Sequence, residues 1–206
     1  MRGLLILGAG GHGKVCADIA KAMGCWERIA FLDDGARPQE VLGIPVLGAS
    51  DRLAACGMDY SEAFVAIGEA AARLQWLERL EGLGYHIATL QHPAAWLGSG
   101  VTVARGTALM AGAVVNAATA LGRGCIVNTC ASVDHDCVLE EGVHVSVGAH
   151  IAGSVRIGAR TWVGIGACVS NNLSLCPDCM IGAGAAVVKD ITHPGTFVGV
   201  PAKVIS

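Results

Sequence analysis

Residues 101–190, set out in rows of six, read VTVARG, TALMAG, AVVNAA, TALGRG, CIVNTC, ASVDHD, CVLEEG, VHVSVG, AHIAGS, VRIGAR, TWVGIG, ACVSNN, LSLCPD, CMIGAG and AAVVKD. The third place is Leu, Ile or Val in every row, from Val103, Leu109 and Val115 through to Leu175, Ile181 and Val187. The other five places together hold only ten such residues in 75. Neither a helical period of 3.6 nor a strand period of 2.0 keeps one phase over steps of six. A β-helix of hexapeptide repeats does.

Four residues after each aliphatic comes a second slot holding mostly small side chains, with Ala113, Ala131, Ala149, Ala167 and Ala185 spaced 18 apart. Three hexads therefore make one coil of a triangular prism, and the ruler predicts five coils. Successive coils stack as parallel strands about 4.8 Å apart, with the aliphatics filling the axis. A sandwich or barrel would need hairpin turns and variable loops, and none interrupts these ninety residues.

The whole chain has 206 residues, enough for one large domain or two small ones. With 53% hydrophobic and 15% charged residues, disorder is excluded, because the apolar surface offsets the entropy of ordering. Aromatics make up only 4% while glycines number 29, so the interior is aliphatic and packed close to backbone. A net charge of −3 gives no general attraction to nucleic acid or anionic lipid, and neither partner is expected. The longest uncharged stretch, between Arg105 and Arg123, is broken by Thr107, Asn116, Thr119 and small residues, so no membrane insertion is expected. Met1 to Leu7 carries one Arg and a four-residue apolar run, short of a secretory core of about seven to fifteen residues, and a cytoplasmic location is expected. Nine cysteines without an export signal are expected to be reduced thiols. Cys176-Pro177-Asp178-Cys179 imitates a redox motif, but Cys179 falls in the inward slot of the ruler. The histidines show no zinc-site spacing, and no metal is expected.

Before the repeats, Leu4–Leu7 runs into Gly8-Ala9-Gly10-Gly11-His12-Gly13, and a helical pattern follows through Val15, Ile19 and Met23. A second apolar run, Ile29–Leu32, ends in Asp33-Asp34 about twenty residues on, the order of a βαβ nucleotide-binding unit. Further strands are predicted at Ala63–Ile67 and His86–Leu90, around a helix with Leu74, Leu77 and Leu80. About ninety residues leave room for one mononucleotide-binding half. An NAD oxidoreductase would need a second half, and the prism offers no hydride chemistry.

A small α/β domain with GAGGHG and FLDD, followed by a prism with NTCASVDHDC, HVSVGAHIAG, SNNLSL and VGVPAK, resembles the PglD/NeuD family of bacterial sugar acyltransferases over the whole chain. The resemblance implies a Rossmann-like nucleotide-sugar-binding domain over 1–92. It implies a left-handed parallel β-helix over 93–206, binding acetyl-CoA and carrying catalysis; the hand comes from the resemblance alone. The implied activity is acetyl-CoA-dependent N-acetylation of the 4-amino group of a UDP-linked 4-amino-4,6-dideoxy-N-acetyl-hexosamine, as in bacillosamine synthesis. GDP- or dTDP-linked amino sugars, O-acetylation of sialic acid, and a nonenzymatic nucleotide-sugar sensor are the alternatives. By the same resemblance His135 is the catalytic histidine, Asp136 its acidic neighbour and Gly153 the oxyanion donor. His144 and Ile165 contact acetyl-CoA, while Gly10, Gly11, His12, Asp33, Asp34, Gly68, Arg73 and Asn128 contact the sugar nucleotide. Asp136 stands where the family's PglD member has Glu.

The bare chemistry agrees. Acetyl transfer to an ammonium requires a base, and an imidazole is suited to that at cellular pH. A carboxylate on one ring nitrogen fixes the tautomer, and Asp134 and Asp136 both flank His135, so either can serve. Gly153 lies 18 residues beyond His135, one coil above it, with an unobstructed amide. His144 is nine residues on, half a coil round. If both histidines serve one site, they come from adjacent subunits, and a homotrimer with shared sites is the natural assembly.

Overall fold

A computed structural model describes residues 2–35 and 38–205. The chain divides into two compact units, Met1–Pro93 and Ala94–Ser206.

The first unit is a four-stranded parallel sheet in the order Arg28–Leu32, Gly3–Leu7, Glu62–Val65, His86–Ile87, with helices Gly11–Met23 and Ala70–Gly82. The central strand Gly3–Leu7 is buried along its whole length, as a parallel strand covered on both faces must be. Gly8 follows at φ 100°, and a Cβ on Gly13 would sit 2.0 Å from the Gly8 carbonyl oxygen. Both glycines are thus needed for strand and helix to meet this closely. Helix Gly11–Met23 ends where Gly24, at φ 63°, donates to the carbonyls of Ala20 and Lys21. Helix Ala70–Gly82 starts on the Glu69 carboxylate, which accepts from the N–H groups of Ala71 (2.8 Å) and Ala72 (2.6 Å).

The second unit is the prism. Two-residue strands stack in register at intervals of 18: Val114–Val115 pairs with Ser132–Val133, which pairs with His150–Ile151, which pairs with Cys168–Val169. This face has six rungs, from Trp96–Leu97 to Ala186–Val187, so the winding is about six coils and not five. The extra coil opens with Ala95–Gly100, whose third residue, Leu97, is another column aliphatic lying upstream of the ruler's start at Val101. At the far end Gly195–Val198 stacks on Cys179–Ile181, and Lys203–Val204 closes the sheet antiparallel.

From Leu109 to Val187 every column aliphatic is at most 3% exposed, and the five repeat alanines at most 1%. Polar side chains in the inward slot bond to the coil above: Thr107 donates to the Gly122 carbonyl, Thr119 to Asp134 and Thr161 to Cys176. Burial without orphaned hydroxyls follows. A second column was not read from the sequence. Every sixth residue from Gly100 to Gly184 has a left-handed backbone, including the non-glycines Ala118, Cys130, Asp136, Ser154, Arg160, Asn172 and Asp178. These residues turn the prism's corners.

Candidate active site

Strand Ser132–Val133 delivers the chain to the corner Asp134-His135-Asp136. Asp136 turns that corner at φ 56°, a region that Asp tolerates better than most residues. The turn brings its Oδ2 to 2.7 Å from His135 Nδ1. Asp134 points elsewhere: its Oδ1 accepts from the His135 backbone N–H (2.9 Å) and from Asn116 Nδ2 (2.8 Å). Of the two flanking carboxylates, it is therefore Asp136 that holds the ring. The hydrogen bond that the ring donates to Asp136 and the charge of Asp134 raise the His135 pKa above its ordinary 6.5.

Nε2 faces the coil above. A Cβ on Gly153 would lie 2.6 Å from it, so only glycine leaves room for the ring. The Gly153 N–H makes no hydrogen bond among the described residues, while its carbonyl accepts from Asn172 N–H (3.0 Å). An exposed imidazole with one nitrogen gripped by a carboxylate and the other turned toward Gly153 of the next coil can accept a proton.

His144 lies on a different face, in the rung Ile126, His144, Trp162, Met180. It is 7% exposed, with Nε2 3.1 Å from Asn128 Nδ2 and its ring 4.3 Å from that of Trp162. Above it, Ser146, Trp162, Ile165, Met180 and Ala183 line an apolar hollow of about 380 Å³. Ile165 is 57% exposed there. One prism thus presents His135 on a corner and His144 with Ile165 on another side.

In the first unit, Leu7, Gly8, Asp33, Asp34, Ser50 and Trp76 line a hollow of about 200 Å³ at the C-terminal ends of the strands, where ligands of open α/β sheets bind. Asp33 accepts from Ala9 N–H (2.7 Å) and Gly35 N–H (2.8 Å), and Asp34 from the Ser50 N–H (2.7 Å) and hydroxyl (3.1 Å). These carboxylates shape the loops around the hollow. Gly11 and Gly68 have open space where a Cβ would be, and Gly10 caps the helix without a side-chain bond. His12 is half-buried above Cys16, and burial together with the nearby Arg73 charge lowers its pKa to about 4, so it is neutral at pH 7.

Arg73, expected to contact the sugar nucleotide, is held by backbone carbonyls. It is wholly buried, and Nη1 donates to the carbonyls of Ile67 (2.8 Å) and Gly68 (2.7 Å). It holds the loop that carries Gly68. Trp76 and Ser50 in the hollow of the first unit, and Trp162 and Asn116 in the prism, were missed by sequence reading. Asn116 alone had a usable signal, lying 18 residues before Asp134.

Cys176 and Cys179 are free thiols with Sγ atoms 3.5 Å apart, and Cys179 is 3% exposed in its inward slot. No cluster of three or more metal-ligating side chains occurs among the described residues. No helix among them is long and apolar enough to cross a membrane.

Residues 3–80 match the PglD N-terminal domain. The acetyltransferase domain of PglB from Neisseria gonorrhoeae FA1090 has the same fold, with a TM-score of 0.96 and 40% identity over 100% of both chains. The chain belongs to the PglD/NeuD family of acyltransferases. That PglB domain has also been solved with acetyl coenzyme A, with a TM-score of 0.96 and 41% identity over 99% of each chain. PerB from Caulobacter crescentus, in complex with CoA and GDP-perosamine, is 35% identical over 100% of this chain and 98% of its own, with a TM-score of 0.94. A curated UDP-3-O-acylglucosamine N-acyltransferase from Bordetella avium (strain 197N) is 46% identical over 61 residues, which are 29% of this chain and only 17% of that enzyme. As a PglD/NeuD-family member the chain is an enzyme, which sets aside the sensor and oxidoreductase readings.

Proposed function

We propose that this enzyme transfers the acetyl group of acetyl-CoA to the amino group of a nucleotide-linked amino sugar, with His135 as general base. The observation that carries this reading is the stack of Asp136, His135 and Gly153: a gripped, exposed imidazole packed against a position where only glycine leaves room for the ring. His135 Nε2 takes a proton from the substrate ammonium. The free amine then forms a bond to the thioester carbonyl carbon, and the carbon–sulfur bond breaks to release CoA. The Gly153 N–H faces the oxygen that becomes negative, a contribution of about 3 kcal/mol for one oriented donor. Holding both reactants in place supplies much of the remaining acceleration.

His144 and Ile165, beside the apolar hollow, are the groups proposed to meet acetyl-CoA. Gly10, Gly11, His12, Asp33, Asp34 and Gly68 are proposed around the nucleotide sugar in the first unit, with Arg73 holding the Gly68 loop, and Asn128 is the sugar-nucleotide contact proposed on the prism. Because one prism presents His135 and His144 on different sides, the complete site is proposed to form between subunits of a trimer.

The acceptor we favour is the 4-amino group of a UDP-linked 4-amino-4,6-dideoxy-N-acetyl-hexosamine. This acceptor rests on the resemblance to the PglD/NeuD family, while the complex of PerB with GDP-perosamine, at 35% identity, supports a nucleotide-linked amino sugar and makes the GDP-linked sugar the competing reading. The test is thiol release from acetyl-CoA across UDP-, GDP- and dTDP-linked 4-amino sugars. The UDP sugar is expected to give the highest kcat/KM, and a preference for the GDP sugar would overturn the assignment.

A further inference from the structure

We propose that Asn116 is a positioning residue for the reaction, holding the His135 corner in its working shape through the side chain of Asp134. The inference rests on the reading of His135 as the base, and it adds a residue that acts on the ring from one coil below.

The corner's backbone is fixed from both neighbouring coils. The His135 carbonyl accepts from Ser154 N–H (2.8 Å), and Asp136 N–H donates to the Ala117 carbonyl (3.0 Å). The Asp134 carbonyl accepts from the Thr119 hydroxyl (2.7 Å). The His135 N–H is different, because its acceptor is a side chain, Asp134 Oδ1. That carboxylate is itself aimed by Asn116 Nδ2 from the coil below. Asn116 is firmly placed to do so. The strand before it, Val114–Val115, is in register with Ser132–Val133, and its own N–H donates to the Val133 carbonyl (2.9 Å).

The same device recurs beside the second candidate histidine. Asn128 Oδ1 accepts from Thr129 N–H (2.8 Å), while its Nδ2 lies 3.1 Å from His144 Nε2. At both corners an Asn or Asp in the fourth place of its hexad fixes the following peptide.

Without the Asn116 donor the Asp134 carboxylate is free to rotate, and the His135 amide loses a fixed acceptor. The ring is then gripped by Asp136 alone at a corner that has loosened. Positioning errors of about 1 Å can cost about a hundredfold in rate. The charged groups facing His135 are Asp134 and Asp136 on its own corner. Asn116, Ala117 and Ala118 below, and Ala152, Gly153 and Ser154 above, bring none, and the inward Cys137 thiol donates to the His135 carbonyl.

Two variants test the proposal. Asn116→Leu is expected to lower kcat about tenfold while leaving KM for both substrates within about twofold. Asn116→Asp sets a third carboxylate near the imidazolium, so the His135 ring signals in an NMR titration, and the acid limb of kcat/KM, are expected to move to higher pH than in the wild type. The NMR arm does not depend on turnover, so it stands apart from the base assignment, which His135→Ala tests. If Asn116→Leu proves unstable, Asn116→Ser and the Asn116→Asp titration carry the test. Folded variants with wild-type kcat and an unmoved His135 titration would overturn the proposal.

Discussion

At the scale of single residues, activity is proposed to turn on two atoms and one gap: Asp136 Oδ2, His135 Nδ1 and the space where a Gly153 Cβ would be. Asp136 and Asp134 raise the pKa of His135 above 6.5, so the neutral, proton-accepting form accumulates as pH rises through a value above 6.5. The kcat/KM profile is accordingly expected to climb on its acid side through that value. Asp136→Ala removes the main cause of the shift, so the limb should move to lower pH while kcat falls for want of a fixed ring; an unmoved limb would show that another group titrates. Gly153→Ala brings a methyl to 2.6 Å from Nε2, and the displaced ring should cost about a hundredfold in kcat with the fold intact by circular dichroism. The His135–Gly153 relation was legible in the sequence, because eighteen residues is one coil. The choice between the two aspartates was not, since it depends on the left-handed turn at Asp136. Nor was the burial of Arg73, whose carbonyl partners lie five and six residues earlier in a loop that only packing defines.

At the scale of elements, the prism is set by two columns of opposite character. The inward column was readable because aliphatics mark it. The corner column was hidden because seven of its members are not glycine. A left-handed backbone costs an L-residue about 1–2 kcal/mol, and replacement by glycine returns part of that as unfolded-chain entropy of about 0.4–1 kcal/mol. Ala118→Gly, at φ 59° on an exposed corner, should therefore stabilise the protein by about 0.5 kcal/mol in urea unfolding, whereas destabilisation would contradict this reading of the corners. On the axis, Ala149 is fully buried between alanines one coil below and above, and Ala149→Leu should cost about 1–3 kcal/mol by overpacking. In the α/β unit the order of strand, glycine turn, helix and strand was equally plain. The hollow beside it, with Ser50 and Trp76, was not, because those residues reach it from separate segments.

At the scale of the whole molecule, the periodicity specified the winding, and the number of coils was short by one because the stack runs past the ruler at both ends, through Leu90–Gln91 and Trp96–Leu97 before it and Gly195–Val198 after it. The complete site is proposed to need two subunits. Mixing His135→Ala chains with His144→Ala chains should then restore part of the activity in mixed trimers, and no recovery at any ratio would argue for a site within one chain. The most direct measurement is the rate of thiol release from acetyl-CoA by folded His135→Ala with a saturating 4-amino nucleotide sugar. A loss of about 10²- to 10⁴-fold is expected when a general base is removed, and a rate near that of the wild type would contradict the account.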